Sequence, residues 1–552
     1  MANNINQIYA FSVVDQLLKF GINKYYVSPG LRNAPIISAL TKFKGLEVIT
    51  DVDERSASYR ALGRTKASGV PTVLVCTSGT AHLNYAPAIA EAAKTNAPII
   101  VISADRPSEM VGMNTNQTLN QLSSYEGLGV STHRIETPNN EMPLFETIKN
   151  FSFYIYEQCF FKSMPAHINL PFRGQLDDGH EKIDEKAHDD FNQLIKLKFP
   201  LYQQIDHFIK RDVERPLVLI GDIKKTFAQE LLTILKKKKY PHICDITSGL
   251  KLSTGIKENS LPSIDHPEIE NFIDDYAPTS IIQIGERFIS KKYDTVFSEK
   301  KIPWYLFNQM PKNVPNSNPT FLLNKNITEI FESLPVFKSL DLNNVKTVND
   351  KKRELIETSE ELTLPLVSKR ILDNSTEQQD IFIGNSSAIR SFDYYINIYS
   401  TGPYLNIHTN RGVSGIEGNI ATITGICETE NINSLTAVLG DISFLHDLTS
   451  LKGLTSIKKP IKIFVINDHK GGIFGLLPLE LNHESKEMMA TTHEYDFKHA
   501  CLQFGVDYEL IESKREFELS LSENINRPKV YEINIKSAAN FNLYQKLKTM
   551  EY

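Results

Sequence analysis

Short apolar stretches alternate with helix-compatible segments over the first third of the chain. Four of these stretches read KYYVSPG, LEVITDVDE, TVLVCTSG and APIIVISAD, and roughly 10 to 20 residues separate each from the next, which is enough for a helix. Strands that alternate with helices at this spacing form parallel sheets with helices on their faces. The pattern therefore predicts an α/β sheet in this part of the chain.

Two later segments repeat the alternation. RPLVLIGD and TSIIQIGE are the clearest strands of the middle segment, and the last third contains DIFIGNS, YLNIHTN, LTAVLGD, IKIFVIN and VYEINI. A charged stretch at 175–195 and a polar stretch at 337–365 separate the three segments. We therefore predict an α/β protein of three domains, each a mainly parallel sheet flanked by helices, over residues 1–180, 195–336 and 360–552.

Composition narrows the class of protein. The 552 residues are 41% hydrophobic and 23% charged, which is typical of globular proteins with large cores. The net charge of -6 gives no support for nucleic-acid binding. No apolar run of membrane-spanning length occurs, and the N-terminus lacks a signal-peptide pattern, so no membrane insertion is expected. The five cysteines are scattered and odd in number, which favours reduced thiols in a cytoplasmic protein.

Two acidic motifs follow neighbouring predicted strands in the last third. Asp441 ends the stretch LTAVLGD, and Asn467 and Asp468 end the stretch IKIFVIND. Asp441 and Asp468 are 27 residues apart. In a parallel βαβ unit both motifs lie at the carboxyl ends of strands. Mg²⁺ takes a few hard oxygen ligands there and leaves its other positions to phosphate and water. The alternative is that GD and ND are ordinary strand-ending turns.

The segment 51–107, from DVDERSASYR to ADRP, together with this acidic pair, resembles the thiamine diphosphate (ThDP)-dependent enzyme family. Further matching motifs follow in the family's order: SPGLRNAP at 28–35, NQTLNQ at 116–121, GNSSAIR at 384–390, NRGVSGIEG at 410–418 and GGIFGLLP at 471–478. The central region contributes only SKK at 290–292. The resemblance implies that the three predicted domains are pyrimidine-binding, central and diphosphate/Mg-binding domains.

Within this family the chain is most similar to the branch that serves menaquinone biosynthesis. That resemblance implies a transferase that decarboxylates 2-oxoglutarate on ThDP and adds the succinyl semialdehyde unit to isochorismate. It also implies Mg²⁺, with Mn²⁺ as an alternative, and a homodimer or homotetramer whose active sites lie at the subunit interface. Another ThDP-dependent 2-oxo acid carboligase or decarboxylase is the nearest alternative, and a catalytically silent ThDP-fold binding protein is an alternative of a different class.

The family motifs assign a cofactor site by position. Glu54 matches the glutamate that hydrogen-bonds the aminopyrimidine ring of ThDP, and the alternative reading is a surface glutamate paired with Arg55. Asp441, Asn467, Asp468 and Lys470 match the metal site. The residues implied to bind ThDP are Glu54, Ser386, Gly415, Ile416, Gly440, Asp441, Ile442, Ser443, Ile473 and Phe474.

The two substrates together carry four carboxylates, so their site requires several cations, preferably arginines. The implied cations are Arg32, Arg106, Lys291, Lys292, Arg390 and Arg411. Asn116, Gln117 and Ser386 match neutral hydrogen-bonding positions, and Ile473, Phe474 and Leu477 match an apolar wall. Taken singly, each of these residues also fits an ordinary structural role as a solvated cation, a turn residue or a core residue.

The chain departs from the family pattern at four positions. Ile442 replaces the second glycine of the GDG motif, and Asp468 stands where a metal-binding asparagine is expected. Leu31 replaces a serine before Arg32, which removes one hydroxyl from the expected substrate site. Lys292 replaces an arginine, which keeps the charge but loses the planar fork.

Overall fold

The computed structural model describes residues 4–139, 143–174, 176, 214–223, 225–253, 256, 259–261, 263–297, 300, 302–307, 320–322, 327–332, 336–337, 343–394, 402–476 and 480–548. It contains three six-stranded sheets. By its contacts the chain divides into two compact units. The first comprises residues 1–200, 410–433 and 446–458, and the second comprises 201–409, 434–445 and 459–552.

The first sheet lies in the first unit and is parallel throughout, in the order β2-β1-β3-β4-β6-β5. Its strands are β1 Lys24–Val27, β2 Glu47–Thr50, β3 Thr72–Cys76, β4 Ile99–Asp105, β5 Thr132–Arg134 and β6 Ala166–Pro171. Its helices are α1 Ile5–Lys19, α2 Ala34–Thr41, α3 Glu54–Ser68, α4 Ala86–Thr95 and α5 Leu144–Ile155. The central strands β3 and β4 are buried along their whole length, as expected of a parallel sheet covered on both faces.

The second sheet is also parallel, in the order β12-β11-β10-β7-β8-β9. Its strands are β7 Pro216–Ile220, β8 His242–Cys244, β9 Ser260–Leu261, β10 Ser280–Ile284, β11 Trp304–Phe307 and β12 Thr320–Leu322. Helices α6 Lys225–Lys238, α7 Ile269–Tyr276 and α8 Ile327–Glu332 accompany it, and α9 Asn343–Glu357 and α10 Leu364–Asp373 follow.

The third sheet has the parallel order β14-β13-β15-β16-β18-β17. Its strands are β13 Asp380–Ile383, β14 Asn406–His408, β15 Leu435–Gly440, β16 Ile461–Asn467, β17 Asp507–Ile511 and β18 Lys529–Asn534. The helices of this part of the chain are α11 Ser387–Tyr394, α12 Asn419–Cys427, α13 Asp441–His446, α14 Leu451–Leu454, α15 His483–Ala490, α16 Lys498–Phe504, α17 Lys514–Ser522 and α18 Ser537–Lys548.

The predicted architecture of three parallel-sheet α/β domains is confirmed. Every stretch predicted as a strand forms one, and each sheet lies within one predicted domain range. The domain boundaries stay a prediction, because nearly all of 175–195 lies outside the described residues. One feature was not predicted: residues 410–433 and 446–458 belong to the first compact unit although they lie in the C-terminal third of the sequence. The strands missed from the sequence are β5, β6, β8, β9, β11, β12 and β17.

The described residues agree with the composition in two further respects. No helix among them is both long and apolar enough to cross a membrane. All five cysteines are buried as thiols, as expected for a protein with reduced cysteines.

Two helices from distant parts of the sequence touch at backbone distance within the first unit. A Cβ atom on Gly63 of α3 would lie 2.1 Å from the carbonyl oxygen of Thr422 on α12. A Cβ atom on Gly425 of α12 would lie 1.9 Å from the carbonyl oxygen of Arg60 on α3. Since no real Cβ atom tolerates such distances, glycine at both positions is what allows this crossing.

Around the crossing, buried charges add specific contacts. The side chain of Glu428, just after α12, accepts hydrogen bonds from Arg60 and from the Tyr26 hydroxyl. Asp447 accepts hydrogen bonds from the backbone N–H groups of Ile420 and Ala421, at 2.7 Å and 3.1 Å, and so caps the N-terminus of α12. Glu428 thus joins the end of α12 to Arg60 of α3, and Asp447 satisfies the start of α12.

Gly63→Ala should destabilise the protein by about 1 to 3 kcal/mol, because the added methyl group overpacks the α3–α12 crossing. Thermal unfolding of the purified variant measures this as a lowered transition temperature. Gly127→Ala is the matched control, since no atom lies within 4 Å of the added Cβ. Equal stability of the two variants would show that the crossing relaxes without cost.

Candidate functional site

Three predicted site residues of the first unit, and one turn that was not predicted as part of the site, follow four neighbouring strands. Arg32 lies after β1, Glu54 after β2, Ser78 and Gly79 after β3, and Arg106 after β4. Because these strands are parallel and adjacent, their carboxyl ends meet at one edge of the sheet. The fold therefore brings Glu54 and two of the predicted substrate-binding arginines to the same edge.

Glu54 is the first residue of α3 and is partly buried. The preceding Asp53 caps the helix by accepting a hydrogen bond from the Ser56 backbone N–H at 3.2 Å. Burial raises the pKa of the Glu54 carboxyl above its usual range, and the nearby carboxylates of Asp53 and Asp51 raise it further. A carboxyl with a raised pKa holds its proton more readily and can share it with a ring nitrogen.

The alternative reading of Glu54 as the partner of Arg55 does not fit the structure. The Arg55 guanidinium donates to the backbone oxygen of His446 at 2.9 Å and lies 3.9 Å from the Asp447 carboxylate. Within the described part of the chain, Glu54 forms no ion pair. Its carboxyl is therefore available to a ligand.

Arg32 and Arg106 are close enough to influence each other. Burial lowers the pKa of Arg32, and the positive charge of Arg106 lowers it further. The Arg106 side chain donates to the backbone oxygen of Asn116 at 2.6 Å, and Gln117 donates to the backbone oxygen of Ser78 at 2.9 Å. The predicted polar residues 116–117 are thus held beside the strand ends by the predicted arginine and by the β3 turn.

The loop 410–418 carries Arg411, Gly415 and Ile416 and belongs to the same unit. Its start is fixed by Asn410, which donates to the Thr422 hydroxyl at 2.8 Å. At its end Gly418 has φ +69°, and a Cβ there would lie 2.0 Å from the Tyr59 ring, so only glycine fits. Tyr59 also donates to the Glu417 carboxylate at 3.1 Å. Both ends of the loop are therefore rigidly attached.

The predicted metal residues lie in the second unit, at the ends of two adjacent parallel strands. Gly440, the last residue of β15, is paired with Ile466 of β16, so Asp441 and Asp468 follow these strands side by side. Asp441 accepts hydrogen bonds from the backbone N–H groups of Ile442 at 2.6 Å and Lys470 at 3.2 Å. The predicted βαβ placement is confirmed for both strands.

Asn467 and Asp468 differ in burial and in the contacts that their side chains form with the rest of the protein. Asn467 is fully buried and donates to the Tyr495 backbone oxygen at 3.0 Å and to the Glu532 carboxylate at 2.7 Å. Its side-chain oxygen accepts from the His469 backbone N–H at 3.1 Å. Asp468 is only partly buried and lies over Gly472, where a Cβ would meet its carboxylate at 2.2 Å. Asp468 is the better candidate ligand.

Asp441 and Asp468 form a pair of neighbouring like charges. Burial raises the pKa of Asp441 to about 6 and that of Asp468 to about 7, and the charge of Asp441 adds to the second shift. Two carboxylates that destabilise each other's charge are a suitable setting for a divalent cation. Among the described residues, no three His, Cys, Asp or Glu side chains group into a complete metal site. Two carboxylates suffice, however, when phosphate and water supply the remaining ligands.

The other predicted residues of the second unit have fewer contacts that define their positions. The Arg390 side chain on α11 donates to the Ser386 backbone oxygen at 2.7 Å, and Ser386 itself has φ +67°. The backbone N–H of Lys292 donates to the Ser290 hydroxyl at 3.0 Å. Phe474 is 38% exposed and Ile473 is half-buried. The side chain of Lys291 and the whole of Leu477 lie outside the described residues.

Three residues near these sites were missed from the sequence. The His493 Nε2 atom lies 3.2 Å from the Asp441 carboxylate, Asp447 caps α12, and Glu91 binds the loop that carries Arg411. His493 and Asp447 come from loops in which no local pattern marks them. Glu91 does carry a signal, because it is a charged residue on the buried face of α4.

Comparison with known proteins decides the family. Residues 9–124 match the family model described as the N-terminal TPP-binding domain of thiamine pyrophosphate enzymes. Over 546 residues, covering 92% of each chain, this protein is 32% identical to 2-succinyl-5-enolpyruvyl-6-hydroxy-3-cyclohexene-1-carboxylate (SEPHCHC) synthase of Syntrophus aciditrophicus. The chain belongs to the SEPHCHC synthase family.

More distant SEPHCHC synthases match over the same extent. That of Chlorobium phaeobacteroides is 27% identical over 94% of this chain and 93% of its own. That of Gloeothece citriformis is 26% identical over 94% of this chain and 93% of its own. The likeness to SEPHCHC synthases thus covers all three sheets and is not restricted to the TPP-binding domain.

Replacing Glu54 with Gln should leave ThDP bound but slow turnover by roughly 10²- to 10⁴-fold, because a positioned proton-transfer group is lost. Steady-state kinetics together with calorimetric ThDP binding separate the two effects. Glu430→Gln, an exposed glutamate of the same unit, is the control. Turnover within a few-fold of wild type would remove Glu54 from this role.

The metal assignment predicts that Asp441→Ala weakens ThDP binding in the presence of Mg²⁺ by at least about 10-fold, through loss of a charged ligand. Asp468→Asn keeps an oxygen ligand but removes one negative charge, so it should change the preference between Mg²⁺ and Mn²⁺ while ThDP still binds. Calorimetric titration with each metal measures both effects, with the exposed Asp496→Asn as control. Unchanged ThDP affinity in Asp441→Ala would contradict the metal assignment.

Proposed function

We propose that this protein is the ThDP-dependent SEPHCHC synthase of menaquinone biosynthesis, joining 2-oxoglutarate and isochorismate with release of CO₂. The observation that carries the proposal is its 32% identity to a SEPHCHC synthase over 92% of both chains. The grouping of Glu54, Arg32 and Arg106 at one sheet edge supports it, because these residues match the family's motifs.

The cofactor would be held by groups of known position. ThDP, when bound, supplies the electron sink that a 2-oxo acid needs in order to lose CO₂. Glu54 would hold a proton against the aminopyrimidine ring, a task that its raised pKa favours. Asp441 and Asp468 would hold Mg²⁺ or Mn²⁺ at the diphosphate.

The substrates would be held mainly by charge. The cations proposed for the carboxylates of the two substrates are Arg32, Arg106, Lys291, Lys292, Arg390 and Arg411. Leu31, which is 77% exposed beside Arg32, offers no hydroxyl where the family usually has a serine. We infer that one substrate hydrogen bond is absent or is supplied by another group.

Assembly and location follow from the same proposal. We propose a homodimer or homotetramer with active sites at the subunit interface, as the family resemblance implies. The buried thiols are consistent with a cytoplasmic enzyme.

The two alternative functions would require fewer of the predicted site residues. A carboligase or decarboxylase that uses only simple 2-oxo acids binds fewer carboxylates and needs fewer cations than the six named above. A catalytically silent binding protein would have no need of a glutamate with a raised pKa at the pyrimidine position or of a paired carboxylate site. Both features are present.

The direct test is incubation of the purified protein with ThDP, Mg²⁺, 2-oxoglutarate and isochorismate, with the product identified by mass. We expect SEPHCHC and one CO₂ per turnover, and no SEPHCHC when isochorismate or 2-oxoglutarate is omitted. Pyruvate in place of 2-oxoglutarate is the control for the simpler carboligase. Efficient product formation from pyruvate alone, without use of isochorismate, would favour that alternative.

A further inference from the structure

Glu91 is a buried carboxylate with an unusual set of partners. It lies on α4 between the buried residues Ala88 and Ala92, and only 1% of it is exposed. Burying a carboxylate costs several kcal/mol unless other groups compensate its charge. The groups that compensate it here come from a segment more than 300 residues later in the chain.

Both carboxylate oxygens of Glu91 bind backbone N–H groups of the loop 410–418. The N–H of Gly412 donates to Oε1 at 2.9 Å, and the N–H of Val413 donates to Oε2 at 2.8 Å. The ammonium group of Lys66 lies 3.7 Å from Oε1 and supplies a positive charge. Such two-point, charge-assisted contacts are stronger and more directional than neutral hydrogen bonds.

The contact also explains a glycine in the loop. A Cβ on Gly412 would lie 2.9 Å from the backbone oxygen of Glu91 and 2.9 Å from the Lys94 side chain. The loop backbone at Gly412 therefore lies so close to α4 that no side chain fits between them. This close approach occurs immediately after Arg411.

The two hydrogen bonds from Gly412 and Val413 to Glu91, here called the Glu91 clamp, complete the attachment of the loop 410–418. Asn410 fixes its start through Thr422, and Gly418 fixes its end against Tyr59. Glu91 fixes the backbone between these points, while Val413 remains 44% exposed and Ile416 36% exposed. The backbone of the loop is thus held against α4, while the side chains of Val413 and Ile416 stay exposed.

We propose that Glu91 is a positioning residue for substrate binding: its carboxylate fixes the peptide that follows Arg411 and so sets where the guanidinium meets a substrate carboxylate. This rests on the proposed function, in which Arg411 binds isochorismate. An arginine that binds a carboxylate at two points needs a well-defined backbone, because misplacement by about 1 Å is costly. Glu91 acts on the substrate only through Arg411.

Glu91→Gln is the informative variant because it has the same shape. Its amide oxygen can accept one loop N–H, but its NH₂ group faces the other N–H and cannot accept a hydrogen bond. We expect the KM for isochorismate to rise by about 10-fold, the loss typical of one charge-assisted hydrogen bond, with kcat changed much less. Amide hydrogen exchange at Gly412 and Val413 should become faster, which reports the clamp independently of activity.

The same substitution in a variant that lacks Arg411 distinguishes positioning of Arg411 from a general loosening of the loop. On an Arg411→Ala background, Glu91→Gln should raise the KM for isochorismate no further, because the two residues act as one unit. Glu157→Gln, which removes an ion pair with Lys162 elsewhere in the same unit, should leave KM and exchange at the loop unchanged.

Three results would overturn the proposal: an unchanged KM in Glu91→Gln, an equal rise in KM on both backgrounds, or unchanged exchange at Gly412 and Val413. A wild-type enzyme that forms no product from 2-oxoglutarate and isochorismate would instead refute the proposed function. The exchange measurement distinguishes these cases because it does not depend on turnover.

Discussion

The backbone contact between α3 and α12 is the constraint on which the first unit depends. Gly63 and Gly425 let the two helices touch without intervening side chains, and this joins a C-terminal segment to the N-terminal sheet. Glu54 begins one helix, and the loop with Arg411 leads directly into the other. A close helix crossing leaves little freedom in how the two helices lie, so it fixes the start of α3 at Glu54 and the end of the loop that carries Arg411.

Buried carboxylates in the two units are compensated in different ways. In the first unit Glu91 and Asp447 each accept two backbone N–H groups, and Glu428 is paired with Arg60. In the second unit Asp441 and Asp468 lie beside each other, and their mutual repulsion raises the pKa of Asp468. Asp441 also accepts two backbone N–H groups, but Asp468 adds a second negative charge beside it. A divalent cation would reduce the repulsion between these two carboxylates, and we therefore propose them as the metal site.

Much of the fold could be predicted because long buried strands leave a clear pattern. β15 and β16 are six and seven residues of nearly continuous apolar sequence, and the acidic residues after them fell where the βαβ rule places them. β9 has two residues and β5 has three, too few to show any periodicity. The Glu91 clamp could not be found either, because it joins residues more than 300 positions apart and no local rule specifies its partner.

Asp468, which stands where the family has asparagine, adds a negative charge to the group of residues around it. An asparagine at this position would give the metal site one carboxylate, whereas this chain has two, with the imidazole of His493 3.2 Å from Asp441. The Tyr495 backbone N–H donates to Nδ1 of His493, so in the neutral ring the proton is on Nε2. A second carboxylate near a bound diphosphate would add repulsion that a metal ion would have to offset. We therefore propose that Asp468 makes cofactor binding here more dependent on a divalent cation than asparagine would.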